Sequence, residues 1–244
     1  MVLSAFSAAE PRLSLRELAA RTGLPKATVH RLAGSLVACG FMEHGSDGRY
    51  ALGLRLSELG ALVRSDLDVV SVCSPAVDAL AAATGETVLL AEADWDTLEL
   101  TVVASRISPE TLSVVPITGQ RQTIPPGAPS KALLLGVPPE ELDTVLERLS
   151  LPALTSKSHT DREQLASEIA AARSVGFAVA EDEYLDGVSG VAVPVMFESG
   201  RPRAAIAVVG PSARISSQLE QIGKLAVDLT ATLRPQAPVA EAVA

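Results

Sequence analysis

The chain has 244 residues, of which 48% are hydrophobic and only 3% aromatic, and its formal net charge is −9. That length fills one large domain, or one small and one medium domain each with its own core, built here from Ala, Leu and Val. No apolar run approaches the roughly 18 residues of a membrane span, and no basic stretch leads into a secretory h-region, so a soluble cytoplasmic protein is expected.

Charge divides the chain. The first 60 residues hold seven Lys/Arg against five Asp/Glu, so the remainder carries −11. A mildly cationic end on an acidic body points to a polyanion partner for the first and another partner for the second. Within that end, "SLRELAAR" offers a capping box from Ser14 to Glu17 and places Leu15, Leu18 and Ala19 on one face, predicting a helix from Leu15 to Arg21. Gly23 breaks it. Pro25 suits the first turn of a second helix, in which Val29, Leu32, Ala33 and Leu36 face inward at helical spacing. At 100° per residue the opposite face shows Ala27, Arg31 and Ser35, flanked by Thr28 and His30, with Lys26 near the N-terminus. These groups can meet base edges and phosphates, and Arg21 closes the preceding helix beside them. "FMEHGSDGRYALG" then reads as two short strands joined through Asp47-Gly48, with Arg49 at the tip where it would meet a DNA backbone. Helix-turn-helix pairs also occur as purely structural units. The capped helix, glycine turn, basic-tipped hairpin and local positive balance together favour DNA binding.

The stretch from Leu13 to Gly60, "LSLRELAARTGLPKATVHRLAGSLVACGFMEHGSDGRYALGLRLSELG", resembles the winged-helix domain of IclR-type bacterial transcription regulators. The resemblance implies that "PKATVHRLAGSL" enters the major groove and assigns base or backbone contacts to Lys26, Thr28, His30 and Arg31. Only "MVLSAFSAAE" stands where the family has a longer first helix that contributes to dimerisation.

"LRLSELGALVRSD" continues a helical pattern. It divides the chain into a winged head at 1–54, a linker helix at 55–66, a second domain at 67–235 and a loose tail at 236–244. "VCSPAVDALAAATGE" follows as a helix with Ser74 as cap, Pro75 in the first turn and Gly85 as the stop. Next come three β-like runs, "TVLLAEA", "LELTVVAS" and "TLSVVPI". "SKALLLG", "PEELDTVLERL" and "TDREQLASEIAAARSVG" are helical, the last with a capping box from Thr160 to Glu163. Strands return as "FAVA", "VSGVAVPVMF" and "RAAIAVVG", the last two joined at 198–201, before a final helix from about Ser217. This order predicts an α+β fold with an antiparallel sheet covered by helices. The two cysteines, Cys39 and Cys73, fall in helix-like segments and read as buried thiols rather than a disulfide or zinc site.

Catalytic chemistry finds little support. The second domain has only His159, neither G-x-S-x-G nor a phosphate loop occurs, Ser130 and Lys131 are adjacent, and "EDE" at 181–183 reads as a solvated acidic loop rather than a metal site. No cofactor is expected. "TIPPGAPSKALLLG" is a Pro/Gly loop running into a helix, whose free N–H groups could hold a carboxylate. "TGETVLL", "GQRQTIPPGAPSKALLL" and the run from Ala180 to Ser216 resemble the family's GAF-like effector-binding domain, which holds a small organic molecule over its sheet. The resemblance places ligand groups at Gly127, Ala128 and Ser130, at Ala180 or Glu181, at Gly190, and at Ala207 and Val209. In relatives that sense small polar acids the corresponding positions tend to be Asp, Cys, Ser and Ser, against Ala180, Gly190, Ala207 and Val209 here. Each change removes a polar group, which favours a larger, apolar or aromatic acid. The expectation is a regulator that binds operator DNA as a dimer or dimer of dimers and senses such an acid. A GAF-like binding protein or enzyme with a purely structural helix-turn-helix is the alternative.

Overall fold

The computed structural model describes residues 2–7, 10–63, 69–119, 121–124, 127–196, 200–231 and 233. Two compact units are present, Met1–Asp68 and Val69–Ala244.

In the first unit a 3₁₀ turn, Leu3–Ala5, precedes strand β1 (Arg12–Ser14) and helix α1 (Leu15–Thr22). The capping box is formed: Ser14 N–H donates to the Glu17 carboxylate (2.7 Å) and Glu17 N–H to Ser14 Oγ (3.3 Å). Gly23 ends the helix at φ 68°, a left-handed cap that a side chain would strain. Helix α2 (Lys26–Ala38) starts after Pro25, which takes the cap position instead of the first turn: its carbonyl accepts from Val29 N–H (3.0 Å). Val29 and Ala33 are buried, but Leu32 is 37% exposed rather than inward, because it stands about 60° around the helix from Val29. Strands β2 (Met42–His44) and β3 (Arg49–Leu52) form the hairpin, and β1, which periodicity did not reveal, pairs with β3 through Leu13 opposite Tyr50. A three-residue strand is too short to carry a recognisable alternation. Cys39 is exposed, against expectation, because it caps the solvent end of α2. Helix α3 (Arg55–Val63) follows; residues 64–66 of the expected linker helix lie outside the described residues.

In the second unit, helix α4 (Val69–Thr84) begins earlier than expected and carries Pro75 in its interior, so Ser74 is no cap. Val69, Cys73, Ala76, Val77 and Leu80 are buried at helical spacing through the proline, and this burial offsets the roughly 3 kcal/mol an interior proline costs. Strands β4 (Thr87–Asp94), β5 (Glu99–Arg106) and β6 (Arg121–Thr123) come next. Residues 111–117, expected as a strand, form an irregular segment instead. Helices α5 (Gly127–Leu135), α6 (Pro139–Arg148) and α7 (Arg162–Ala172) follow, α5 starting three residues before the expected "SKALLLG". Asp161, not Thr160, caps α7 by accepting from Glu163 and Gln164 N–H (2.8 and 3.1 Å), since a carboxylate suits the positive helix end better than a hydroxyl. Strands β7 (Ala178–Glu181), β8 (Val188–Met196) and β9 (Pro202–Pro211) complete the sheet; residues 197–199 of the expected β8–β9 turn lie outside the described residues. After a short helix α8 (Ser212–Ile215) and a 3₁₀ turn, α9 (Leu219–Thr230) closes the unit, and the expected tail at 236–244 is likewise outside the description.

The six strands pair antiparallel in the order β6-β5-β4-β9-β8-β7. One face, through Leu89, Ala192, Ala205, Ala207 and Val209, meets α5, α6 and α7; the other, through Val88, Leu90, Val191, Val193, Ile206 and Val208, meets α4 and α9. Covering both faces explains why these strands read as continuous apolar runs. Gly223 of α9 lets the helix rest on Phe177, since a Cβ there would lie 2.5 Å from the ring. Gly223→Ala is therefore expected to destabilise this unit by about 1–3 kcal/mol despite alanine's better helix propensity, read as a Tm several degrees lower.

Candidate functional site

The outward face of α2 presents Lys26, Ala27, His30, Arg31 and Ser35 to solvent, with Thr28 half-buried. Ser35 donates its hydroxyl to Arg31 O (3.2 Å). Arg21 is tied inward: its guanidinium pairs with Glu10 and donates to Ala5 O (2.8 Å), which anchors the N-terminal segment. Arg49 lies 3.6 Å from Glu17 and donates to Arg12 O (3.2 Å), so it braces the capped start of α1 from beside the hairpin turn while staying half exposed. The Ser14 N–H and hydroxyl, with Arg49 nearby, hold the Glu17 carboxyl below its ordinary range. The hairpin tip itself is Gly45–Gly48, with Asp47 accepting from Arg49 N–H (3.1 Å).

The second unit contains a cavity of about 550 Å³ on the α5 face of the sheet. Its floor is Val102, Leu89, Val209, Gly190 and Ala180, one residue from each of five strands. Val209, Gly190 and Ala180 stand side by side across β9, β8 and β7. Gly190 is required there, because a Cβ would lie 2.9 Å from Val209 Cγ1 and 3.0 Å from Val208 O. Gly127, Ala128 and Pro129 at the start of α5 form one wall. Residues 112–116 form another, which explains their strand-like composition: Leu112 and Val115, 70% and 61% exposed, are apolar because they border the cavity rather than pair in the sheet. Thr87 holds this segment by donating its hydroxyl to Val114 O (2.8 Å), and Arg214, paired with the buried Glu86, donates to Leu112 O (3.1 Å).

The third wall is residues 183–187, and here a member of the "EDE" stretch is not a solvated acid: Glu183 lines the cavity. Its carboxylate pairs with Lys131 Nζ (2.9 Å), which is 1% exposed on the fully buried α5 and also pairs with Glu168. His159 Nε2 contacts Glu168 (2.7 Å) and lies 3.7 Å from Glu183. His159, Glu168 and Glu183 bring their ligand atoms within 4.8 Å of one another, but the Lys131 ammonium already stands among them as the compensating cation. Thr155 and Ser158 hydroxyls donate to Asp182 O (2.6 Å) and Glu183 O (2.7 Å), fixing the start of the wall. Asp182 adopts φ 59° and accepts from Gly187 N–H (3.0 Å), Ser212 Oγ (2.5 Å) and Lys157 Nζ (2.8 Å). The Lys157 and Ser212 hydrogen bonds hold its carboxyl below the ordinary range. Ser189, in turn, donates from the cavity to Ser212 (2.8 Å).

Of the expected effector positions, Gly127, Ala128, Ala180, Gly190 and Val209 line this cavity. Three do not. Ala207 is fully buried one step along β9, Glu181 is exposed, and Ser130 is fully buried with no hydrogen-bond partner for its hydroxyl among the described residues. Leu89, Val102, Gln122, Glu183 and Ser189 line it without having been expected. Lys131 was the available signal: a lysine amid "SKALLLG" must find carboxylates if that helix is buried.

Known proteins resemble both units. The IclR helix-turn-helix domain matches residues 1–45, and the bacterial transcriptional regulator IclR C-terminal domain matches residues 61–233. The HTH-type transcriptional regulator KipR of Bacillus subtilis is 30% identical over 85% of this chain and 82% of its own length. The transcriptional repressor IclR of Escherichia coli is 28% identical over 84% and 75%. An IclR homolog complexed with 4-hydroxybenzoate from Microbacterium hydrocarbonoxydans superposes with a TM-score of 0.80 at 26% identity, covering 95% of each chain. The Thermotoga maritima IclR shares the fold, with a TM-score of 0.76 at 22% identity over 94% and 93%. No helix among the described residues is long and apolar enough to cross a membrane. The chain belongs to the IclR family and is a DNA-binding transcription regulator.

Proposed function

We propose that this regulator acts in the cytoplasm as a paired molecule, a dimer or dimer of dimers. Two α2 helices would read an operator while the second unit senses a small, rather apolar or aromatic organic acid, in the control of a catabolic operon. The observation that carries the effector reading is the cavity's lining: Leu89, Val102, Val114, Ala180 and Val209 surround a few polar groups, at the start of a buried helix. Gly127 and Ala128 can offer N–H groups and the positive helix end to a carboxylate, whereas Pro129 has no N–H to offer. Burying a small polar acid against that floor would leave its oxygens short of partners, at about 1–3 kcal/mol each. The neighbour that holds 4-hydroxybenzoate supports the aromatic class.

On the DNA side the reading rests on Lys26, Thr28, His30, Arg31 and Ser35, which share the outward part of α2. Arg49 and Arg21 have partners within the head, so their contribution would be to hold its shape and to reach the backbone from its edge. A head with so few cations binds weakly alone, and pairing supplies the affinity. Any effect of ligand on DNA requires that it interact differently with two states of the protein.

Calorimetric titration of the full chain is expected to show benzoate or 4-hydroxybenzoate binding at least tenfold tighter than glyoxylate or pyruvate. Tight binding of the small polar acids with no aromatic response overturns the effector reading. Arg31→Ala is expected to weaken operator binding in a gel shift by tenfold or more per head and to reduce its salt dependence, leaving ligand affinity unchanged. Unaltered operator binding would show that another surface reads the DNA.

A further inference from the structure

The cavity's charge inventory says more about its ligand than its apolar floor does. Two carboxylates line it, Glu183 and Asp186, and among the described lining residues there is no Lys, Arg or His. The basic groups nearest the wall already have partners: Lys131 is shared between Glu183 and Glu168, Lys157 pairs with Asp182, and His159 lies against Glu168 and 3.7 Å from Glu183. Lys131 therefore holds Glu183 in place without leaving positive charge for a ligand, and Glu168 adds a further negative group behind it. Glu183 is only 12% exposed, so water screens it weakly. The remaining polar groups of the lining, Ser113, Gln122 and Ser189 among them, are neutral, and Ser189 already donates its hydroxyl to Ser212.

We infer that the cavity admits a ligand with a single negative charge, and that Glu183 is the residue that excludes a second one. This rests on the organic-acid reading above and deepens it. One carboxylate is met by the N–H groups at the start of α5. A second, directed toward the 183–187 wall, finds carboxylates and no cation among the described lining residues, whereas an uncharged donor such as an amide or hydroxyl finds in Glu183 a desolvated acceptor. The effector class is thus a monocarboxylic acid whose far end is apolar or donates a hydrogen bond, and dicarboxylates of the same shape are rejected.

The test uses three acids on the full chain by calorimetry: benzoate, 4-carbamoylbenzoate and terephthalate. The last two match in shape and differ by one charge and one donor. The wild type is expected to bind 4-carbamoylbenzoate at least tenfold tighter than terephthalate, and Glu183→Gln, which leaves Lys131 paired with Glu168, to narrow that ratio severalfold. Asp186→Asn, at an exposed position, is expected to narrow it less. Terephthalate binding as tightly as the amide in the wild type overturns the inference, and so does a ratio unchanged in a folded Glu183→Gln protein. The wild-type ratio decides by itself should that variant fail to fold. If none of the three acids binds, the organic-acid reading falls and this inference with it, whereas benzoate binding without charge discrimination removes this inference alone.

Discussion

A positive charge inside a buried helix organises the second unit. Every residue of α5 is buried, including Lys131, and an ammonium withdrawn from water costs several kcal/mol unless carboxylates and hydrogen bonds meet it. Glu168 of α7 and Glu183 of the 183–187 wall meet it from two sides, with His159 against both. The compensation is also a tether. It fastens a helix that starts at the cavity to the segment that closes the cavity, and the Thr155 and Ser158 hydroxyls fasten that segment's backbone again. A wall held this way presents Glu183 at a fixed place, which is what gives the cavity a charge preference at all.

The sheet makes room for this arrangement by being unequal on its two faces. Toward α4 and α9 it carries Val88, Leu90, Val191, Val193, Ile206 and Val208; toward α5 it carries Ala178, Ala192, Ala205 and Ala207, with Gly190 at the cavity. Branched side chains fill the first interface. Small ones on the second let a fully buried helix lie close to the strands, and beyond its first turn the same small residues leave space uncovered. Few aromatics are needed for cores packed in this manner, in keeping with their low content in the chain.

The head solves a smaller problem with fewer parts. Its core is Leu13, Leu18, Val29, Ala33, Met42 and Tyr50, and its ends are fixed by polar contacts: the Ser14–Glu17 box, Arg49 beside it, and Arg21 drawing in the N-terminal segment. Three arginine or carboxylate groups that could have served as surface charge are spent on shape. What remains outward on α2 is a short row of Lys26, His30 and Arg31 with Thr28 and Ser35.

Local signals in the sequence determined a good deal of this. The capping box, the Gly23 break, the Asp47-Gly48 turn, the strands of the second unit other than β6 and the Pro/Gly loop that runs into a helix at the cavity all depend on contacts within a few residues, so spacing and residue type reveal them. Five cavity positions followed from a family resemblance for the same reason, since the loop and strands that carry them keep their order. Where residues far apart in the chain compete, only the tertiary structure could decide. Residues 111–117 have a strand's composition but serve as a cavity wall; Pro75 sits inside a helix because a buried face outweighs a missing hydrogen bond; and Glu183 leaves a polar-looking run to meet Lys131, 52 residues away. Each outcome turns on a partner that sequence distance hides: a neighbouring sheet, a core, or a buried charge that has to be neutralised.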